Sequence, residues 1–255
     1  MVPDAPDWSA IYDDPTRPLV LDVGCGPGRF VLLAAQRGGC GDLASAADAP
    51  NFLGLEIREK LPERARKWAA QLGHAGRCHF VATNATVSVG ALLASYPGPL
   101  RLACVQFPDP HFKKRHHKRR VVQRSLVEAV CDKLEDGGAV WLQSDVEAVA
   151  RDMLVRFVAH GARGGAALRR APAALEERAT GEMVPSGDRW QAVEAEYADL
   201  AEEAAAKEIQ LWPWMVDNPL GVPTEREVLV GAEGEPVFRM LLEKARAPPE
   251  DHESA

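Results

Sequence analysis

The chain has 255 residues and carries 30 Lys and Arg against 37 Asp and Glu, a formal charge of −7. That balance argues against a generally basic protein that coats nucleic acid. A content of 46% hydrophobic and 26% charged residues is that of a globular protein able to bury a full core. No run approaches the roughly 20 consecutive apolar residues of a membrane-spanning helix, and Met1 to Asp7, with two Asp and no Lys or Arg, lacks the pattern of a signal or transit peptide. Cys25, Cys40, Cys78, Cys104 and Cys131 are odd in number and form no C-x-x-C pair. Neither a disulfide framework nor a zinc site is expected, and a reducing compartment is the simplest setting.

In chain order, Leu19 to Val23 reads as a buried strand ended by Gly24-Cys25-Gly26-Pro27-Gly28, with a helix over Arg29 to Gln36. Phe52 to Ile57 is a second strand, followed by a charged helix from Arg58 to Leu72 with Pro62 in its first turn, where a missing N–H does least harm. Cys78 to Ala82 and Leu100 to Phe107 are the third and fourth strands. A helix over Arg119 to Leu134, a turn at Glu135 to Gly138 and a fifth strand, Ala139 to Gln143, follow. Strict alternation of strand and helix implies a parallel sheet with helices on both faces. Residues 161–190, rich in Gly, Ala, Arg and Pro, read as a variable connection with room for a short helix, and Ala192 to Gln210 as an acidic helix. Thr224 to Val230 and Pro236 to Leu242 look like two strands of a hairpin, adding an antiparallel edge. The expectation is one domain over residues 1–255, with a core from about 8 to 244 and a tail from Ala245 to Ala255.

Glycines that follow a first strand and precede a helix let a ligand approach the backbone, while the helix start offers free N–H groups. A nucleotide is therefore expected at Gly24 to Gly28. The spacing is G-x-G-x-G, with Arg29 where the dinucleotide fingerprint would need glycine. Glu56 closes the second strand, where an acid accepts hydrogen bonds from ribose hydroxyls. Asp22 adds a carboxylate suited to a ligand with a positively charged amine or sulfonium, and the amide of Asn84, in Thr83-Asn84-Ala85, can meet an adenine edge. Together these favour S-adenosyl-L-methionine over NAD. The fourth strand leads into Gln106-Phe107-Pro108-Asp109-Pro110-His111-Phe112, which holds an aspartate on a stiff backbone at the crevice. An isolated Pro-Asp-Pro is ordinarily a turn. Here it is followed by Lys113, Lys114, Arg115, Lys118, Arg119, Arg120 and Arg124, with no acid between His111 and Arg124. A polyanion docking beside the loop explains such a run in an acidic protein. His116 and His117 lack carboxylate or thiolate ligands at local spacing, so no metal is expected.

Leu19 to Phe30, Asn51 to Lys60, the run from Phe107 to Val122, Gln143-Ser144-Asp145 and Thr224-Glu225-Arg226-Glu227 together resemble the tRNA (guanine-N7)-methyltransferase family, over residues 8 to 244 and in family order. Trp8-Ser9 and Tyr96-Pro97-Gly98-Pro99 resemble its plant and algal, plastid-type branch. The resemblance implies an α/β class I S-adenosylmethionine-dependent methyltransferase fold, Rossmann-like, with a mostly parallel seven-stranded sheet and a C-terminal antiparallel hairpin. It implies methyl transfer to N7 of guanine 46 in the tRNA variable loop. By motif, Asp22, Gly24, Gly26, Glu56, Ile57, Asn84, Ala85 and Gln106 would contact the cofactor, Asp109 would be catalytic, and Lys113, Asp145, Thr224 and Glu227 would contact the substrate. Asn84 stands where many bacterial members carry Asp. Family members act alone or with a β-propeller partner, and no motif here selects between them. The branch points to a plastid, the missing transit segment to the cytoplasm. Two rival readings are another class I methyltransferase, such as an adenine-N6 enzyme, and a non-catalytic RNA-binding protein of this fold. The order Pro-Asp-Pro-His-Phe fits the adenine-N6 pattern Asn/Asp-Pro-Pro-Phe/Tyr poorly, and Glu56 together with Asp109 speaks for a catalyst.

Overall fold

The computed structural model describes residues 6–163, 168–171 and 212–245. Their strands form one sheet: β1 (Leu19–Val23), β2 (Asn51–Glu56), β3 (Cys78–Ala82), β4 (Leu100–Gln106), β5 (Leu134–Ser144), β6 (Leu168–Arg170) and β7 (Phe238–Lys244), in the order β3-β2-β1-β4-β5-β7-β6. The pairs β1 with β2, β1 with β4, β2 with β3 and β4 with β5 are parallel, and β7 runs antiparallel to β5 and β6. Helices α1 (Trp8–Ile11), α2 (Arg29–Gln36), α3 (Lys60–Gln71), α4 (Ala85–Ser95), α5 (Arg124–Lys133), α6 (Glu147–Arg163) and α7 (Glu225–Ala232) accompany it.

Alternation along β1 shows why the strands are uniformly apolar. Leu19, Leu21 and Val23 point into a core shared with α4, α5 and α6, while Val20 points into a second core with Phe30 and Val31 of α2 and Ala65 and Ala69 of α3. Each face is covered, so a strand that alternated with polar residues would bury them unpaired. The chain leaves β1 for β2 on one side and returns to β4 on the other. Between the carboxyl ends of β1 and β4 this reversal opens the crevice in which ligands of such sheets bind.

Several expectations are corrected. Thr224 to Val230 is no strand: Thr224 Oγ1 accepts from the Glu227 N–H at 3.1 Å while the Glu227 carboxylate returns to the Thr224 N–H, a capping box that starts α7. The expected hairpin is therefore not formed, and the antiparallel edge consists of β7 between β5 and β6. Residues 168–170, expected within an irregular connection, form β6, held by Leu168 in the core. The helix expected over Arg119 to Leu134 begins later, as α5 at Arg124, and Arg119 instead ends a 3-10 helix, Lys114–Arg119. Glu135 to Gly138 is not a separate turn before the strand but an irregular start of β5, where the register against β4 slips. The remainder of the connection, at 164–167 and 172–190, the acidic helix Ala192 to Gln210 and the tail from 246 lie outside the described residues.

The loop between β1 and α2 is the tightest joint in the site. Gly28 caps α2 at φ +78°, and a Cβ there would stand 2.5 Å from the Phe80 ring and 2.9 Å from Ala65. Gly73 has a similar φ of +76° and open space around it. Gly73→Ala should cost only the left-handed backbone term, about 1–2 kcal/mol, and Gly28→Ala about 1–3 kcal/mol more for overpacking. Urea midpoints of the two variants check the difference.

Candidate active site

Two cavities adjoin at the carboxyl ends of β1 and β4, and both are walled by Gly24, Gln106, Phe107, Pro108 and Asp109. The first, about 770 Å³, adds Glu56, Ile57, Arg58, Thr83, Asn84 and Ala85. The second, about 580 Å³, adds Asp22, Gly26, Arg29, Asp145, Thr224 and Arg226. Either volume lies in the range of small-molecule sites. The structure thus brings the expected cofactor residues to the two cavities, Asp109 to their junction, and Asp145 and Thr224 to the second. Lys113, though exposed, and Glu227, which is buried, line neither cavity.

The first cavity has the features of a nucleoside site. Gly24 and Gly26 adopt φ of +83° and +53°, and the Gly24 and Cys25 N–H groups donate to the Leu55 carbonyl at 2.8 and 2.9 Å, which ties the loop to the end of β2. Burial pushes the Glu56 carboxyl up, but hydrogen bonds from the Arg58 side chain and N–H and from the Gly26 N–H outweigh it, so Glu56 stays below its ordinary value and ionised. Ile57 is 66% exposed and presents an apolar side chain to the cavity wall, where a base can lie against it. Asn84 caps α4: its Oδ1 accepts from the Thr86 N–H at 3.1 Å, so the side chain is oriented oxygen-inward and the amide NH₂ is the group left to meet a ligand. Residues and backbone therefore fit a ribose on Glu56, a base against Ile57 and Asn84, and a charged end towards Asp22.

Asp22 is 3% exposed. Burial pushes its carboxyl up to about 7, against the lowering effect of the Gln106 amide at 3.2 Å and with the Glu56 charge adding to the rise. It makes no ion pair among the described residues, so the position is suited to a cation that arrives with a ligand.

The Asp109 loop is held under strain. Phe107 and His111, neither of them glycine, sit at φ +48° and +45° on either side of Pro108-Asp109-Pro110. Such conformations cost about 1–3 kcal/mol each and persist only where the surroundings fix them. Here the Phe107 N–H donates to the Gln143 carbonyl at 2.8 Å, the His111 N–H to Asp109 Oδ1 at 3.0 Å, and Arg120 Nε to the Pro110 carbonyl at 3.2 Å. Arg120 is itself anchored by Asp152 on α6 at 3.2 Å, almost wholly buried. Asp109 stays 72% exposed by side chain, facing the junction.

The basic run is accordingly not one surface. Arg120 is a buried support and Arg124 pairs with Glu128 at 2.7 Å, whereas Lys113, Arg115, Lys118 and Arg119 are exposed, the last two on the wall of the first cavity. Asp145 is bridged by Arg226, with Nε at 3.1 Å, and Arg29 pairs with Glu225 across the second cavity's mouth. Sequence reasoning missed Arg29, Arg58 and Arg226, and it assigned no role to Gln143, whose Nε2 donates to both Gln106 and Glu227. The one local signal was Thr224-Glu225-Arg226-Glu227, whose Thr-x-x-Glu spacing is a helix-start pattern.

Between the ordinary carboxylate range and about pH 7, the folded ligand-free protein keeps a proton on Asp22 that the unfolded chain has lost. Its stability therefore falls as pH rises through that window. Asp22→Asn should be more stable than the parent by on the order of 2–4 kcal/mol above pH 7, with the advantage shrinking towards pH 4. Urea unfolding at pH 4.5 and 8 without cofactor measures it.

Residues 16–200 match a family model described as "Putative methyltransferase". The tRNA (guanine-N(7)-)-methyltransferase of Trichormus variabilis is 38% identical over 239 residues, covering 93% of this chain and 86% of that protein. The protein of the same name from Synechocystis is 36% identical over 239 residues, covering 94% and 88%. With similarity of that depth across nearly all of both chains, and with the glycine turn, Glu56 and the Pro-Asp-Pro loop meeting at one crevice, the chain belongs to the tRNA (guanine-N7)-methyltransferase family.

Proposed function

We propose that the protein transfers the methyl group of S-adenosyl-L-methionine to N7 of a guanine in tRNA, and that this guanine is residue 46 of the variable loop. The observation that carries the reading is the place of Asp109 at the junction of the two cavities, so that one group faces both the bound cofactor's reactive end and the incoming base. S-adenosylmethionine supplies a methyl group on a positively charged sulfur. Glu56 would accept the ribose hydroxyls, Asn84 and Ile57 would take the adenine, and Asp22 would sit near the charged end.

Guanine N7 carries a lone pair and no proton, so the nucleophile needs no base. Transfer forms the N7–carbon bond as the sulfur–carbon bond breaks, and the positive charge passes from sulfur to purine. What the protein must supply is alignment, which in favourable cases is worth about 7–11 kcal/mol, and an anion beside the growing charge. Asp109 does both in this reading. Its carboxylate accepts from guanine N1–H and N2–H, whose acidity rises as N7 is alkylated, so the contact strengthens on the way to the transition state. The strained, doubly proline-flanked backbone keeps that carboxylate from collapsing onto the wall. Lys113, Arg115, Lys118 and Arg119 would take phosphates of the tRNA beside it.

Asp109→Asn keeps shape and loses the charge and one acceptor. It should lower kcat/KM for tRNA by about 10²-fold or more with cofactor affinity retained, and survival within a few fold would remove the role. Replacing Lys113, Arg115 and Lys118 together by Ala should raise KM for tRNA and flatten the slope of log affinity against log salt by about 0.9 for each phosphate no longer neutralised. Mapping the methylated nucleotide after reaction with an unmodified transcript tests the position.

A further inference from the structure

A file of buried side chains joins Asp22, on one side of the second cavity, to Glu227, behind the α7 wall of the same cavity. Gln106 Nε2 donates to Asp22 Oδ1 at 3.2 Å, Gln143 Nε2 donates to Gln106 Oε1 at 2.8 Å, and the same Gln143 nitrogen donates to Glu227 Oε2 at 3.3 Å. Glu227 in turn closes the capping box at Thr224 and accepts from Asn218 Nδ2 at 2.9 Å and from Arg239 at 2.9 Å. It therefore fixes the start of α7, the helix that presents Thr224, Glu225 and Arg226 to the cavity.

The direction of the file is dictated by its ends. An ionised carboxylate only accepts, so with anions at both ends each amide must turn its nitrogen outward, Gln106 towards Asp22 and Gln143 towards Glu227. Gln143 is fully buried and, among the described residues, its Oε1 has no partner. An unpaired buried acceptor costs about 1–3 kcal/mol, and among the described residues the side-chain hydrogen bonds that favour this orientation are those to the two acceptors, Gln106 Oε1 and Glu227 Oε2. A neutral Asp22 can donate instead. Gln106 can then present its oxygen to Asp22 and its nitrogen to Gln143, which must turn its own oxygen inward and give up the bond to Glu227. A positive charge beside Asp22 keeps that carboxylate ionised and holds the file in the order that braces α7.

We propose that Gln143 is a positioning residue that carries occupancy of the cofactor site to the α7 wall, holding Thr224 and Arg226 for the base more firmly when a cationic cofactor stands beside Asp22. The proposal rests on the functional reading in one respect, that the cofactor brings a positive charge to that point. Its consequence is ordered readiness, with cofactor binding tightening the substrate side before the base arrives.

The test is hydrogen–deuterium exchange of the full chain with and without saturating S-adenosylmethionine, in wild type and in Gln143→Met, which keeps the volume and removes both hydrogen bonds. In wild type, the amides of α7 should slow by about fivefold or more when the cofactor binds. In Gln143→Met that change should drop below about twofold, while cofactor affinity stays within about threefold and KM for tRNA rises more than kcat falls. Equal protection in the variant would show that the cofactor braces α7 by direct contact, and no protection in wild type would show that α7 does not respond. Either result overturns the proposal. If Gln143→Met does not fold, Glu227→Gln, which removes the anion at the far end, must show the same loss. Methyl transfer to tRNA is measured in parallel: α7 protection that depends on Gln143, with no transfer by wild type, would count against the tRNA substrate and leave the coupling standing.

Discussion

Asp22 sets the terms for the rest of the site. A carboxylate on the central strand of a doubly covered sheet, 3% exposed and near a second carboxylate, is costly to ionise unless something positive or something that donates stands beside it. The protein supplies a donor, the Gln106 amide, and, among the described residues, no cation. That arrangement suits a cofactor whose reactive end is itself a cation: the site gains its full electrostatic complement only when filled. It also sets a division of labour between the two acids. Glu56, buried but bonded by Arg58 and the Gly26 N–H, stays ionised and suits neutral hydroxyl donors, while the environment of Asp22 suits a cation.

A second constraint acts from the opposite side of the crevice. Asp109 is exposed, and an exposed side chain on an unrestrained loop would sample many positions at little cost. Two prolines, two left-handed non-glycine residues and the buried Arg120–Asp152 pair narrow those positions. One member of the basic run is thus an internal brace, and its neighbours on the surface are free to meet a phosphate backbone. Breaking a buried pair of this kind from one side typically costs about 3–5 kcal/mol, so Arg120 is kept in place to hold the Pro110 carbonyl of a loop that has no regular element over Phe107 to His111.

The parts of this architecture that were legible in the sequence are those written in short-range chemistry. Hydrophobic runs ending in glycine located β1 and its loop, Glu56 at a strand end marked a carboxylate that lines the first cavity, and Pro-Asp-Pro marked a rigid corner. What escaped was of two kinds. Thr224 to Val230 carries both a β-branched apolar run and a Thr-x-x-Glu cap, and reading the run first chose strand where the capping box, satisfied twice over by Thr224 and Glu227, decides for helix. Contacts between side chains 84 residues apart, such as Gln106 with Asp22 and Gln143 with Glu227, leave no local pattern at all. The expected substrate role of Glu227 shows the consequence: its position in a motif was visible, but that Asn218, Arg239, Gln143 and the Thr224 N–H occupy its oxygens was not.

The acidic balance of the chain acquires a physical sense from the same geometry. With the run from His111 to Arg124 set aside, 23 of the 30 basic residues stand against all 37 acidic ones, so the body of the protein repels a polyanion. Of the seven cations in that run, Arg120 and Arg124 are already committed to Asp152 and Glu128. That leaves Lys113, Arg115, Lys118 and Arg119 as exposed cations close in sequence to Asp109. Screening limits the pull of such exposed charges to about 8–10 Å at physiological salt. With Lys113, Arg115, Lys118 and Arg119 exposed close in sequence to Asp109 in a chain of net negative charge, the electrostatics of that loop favour register over raw affinity.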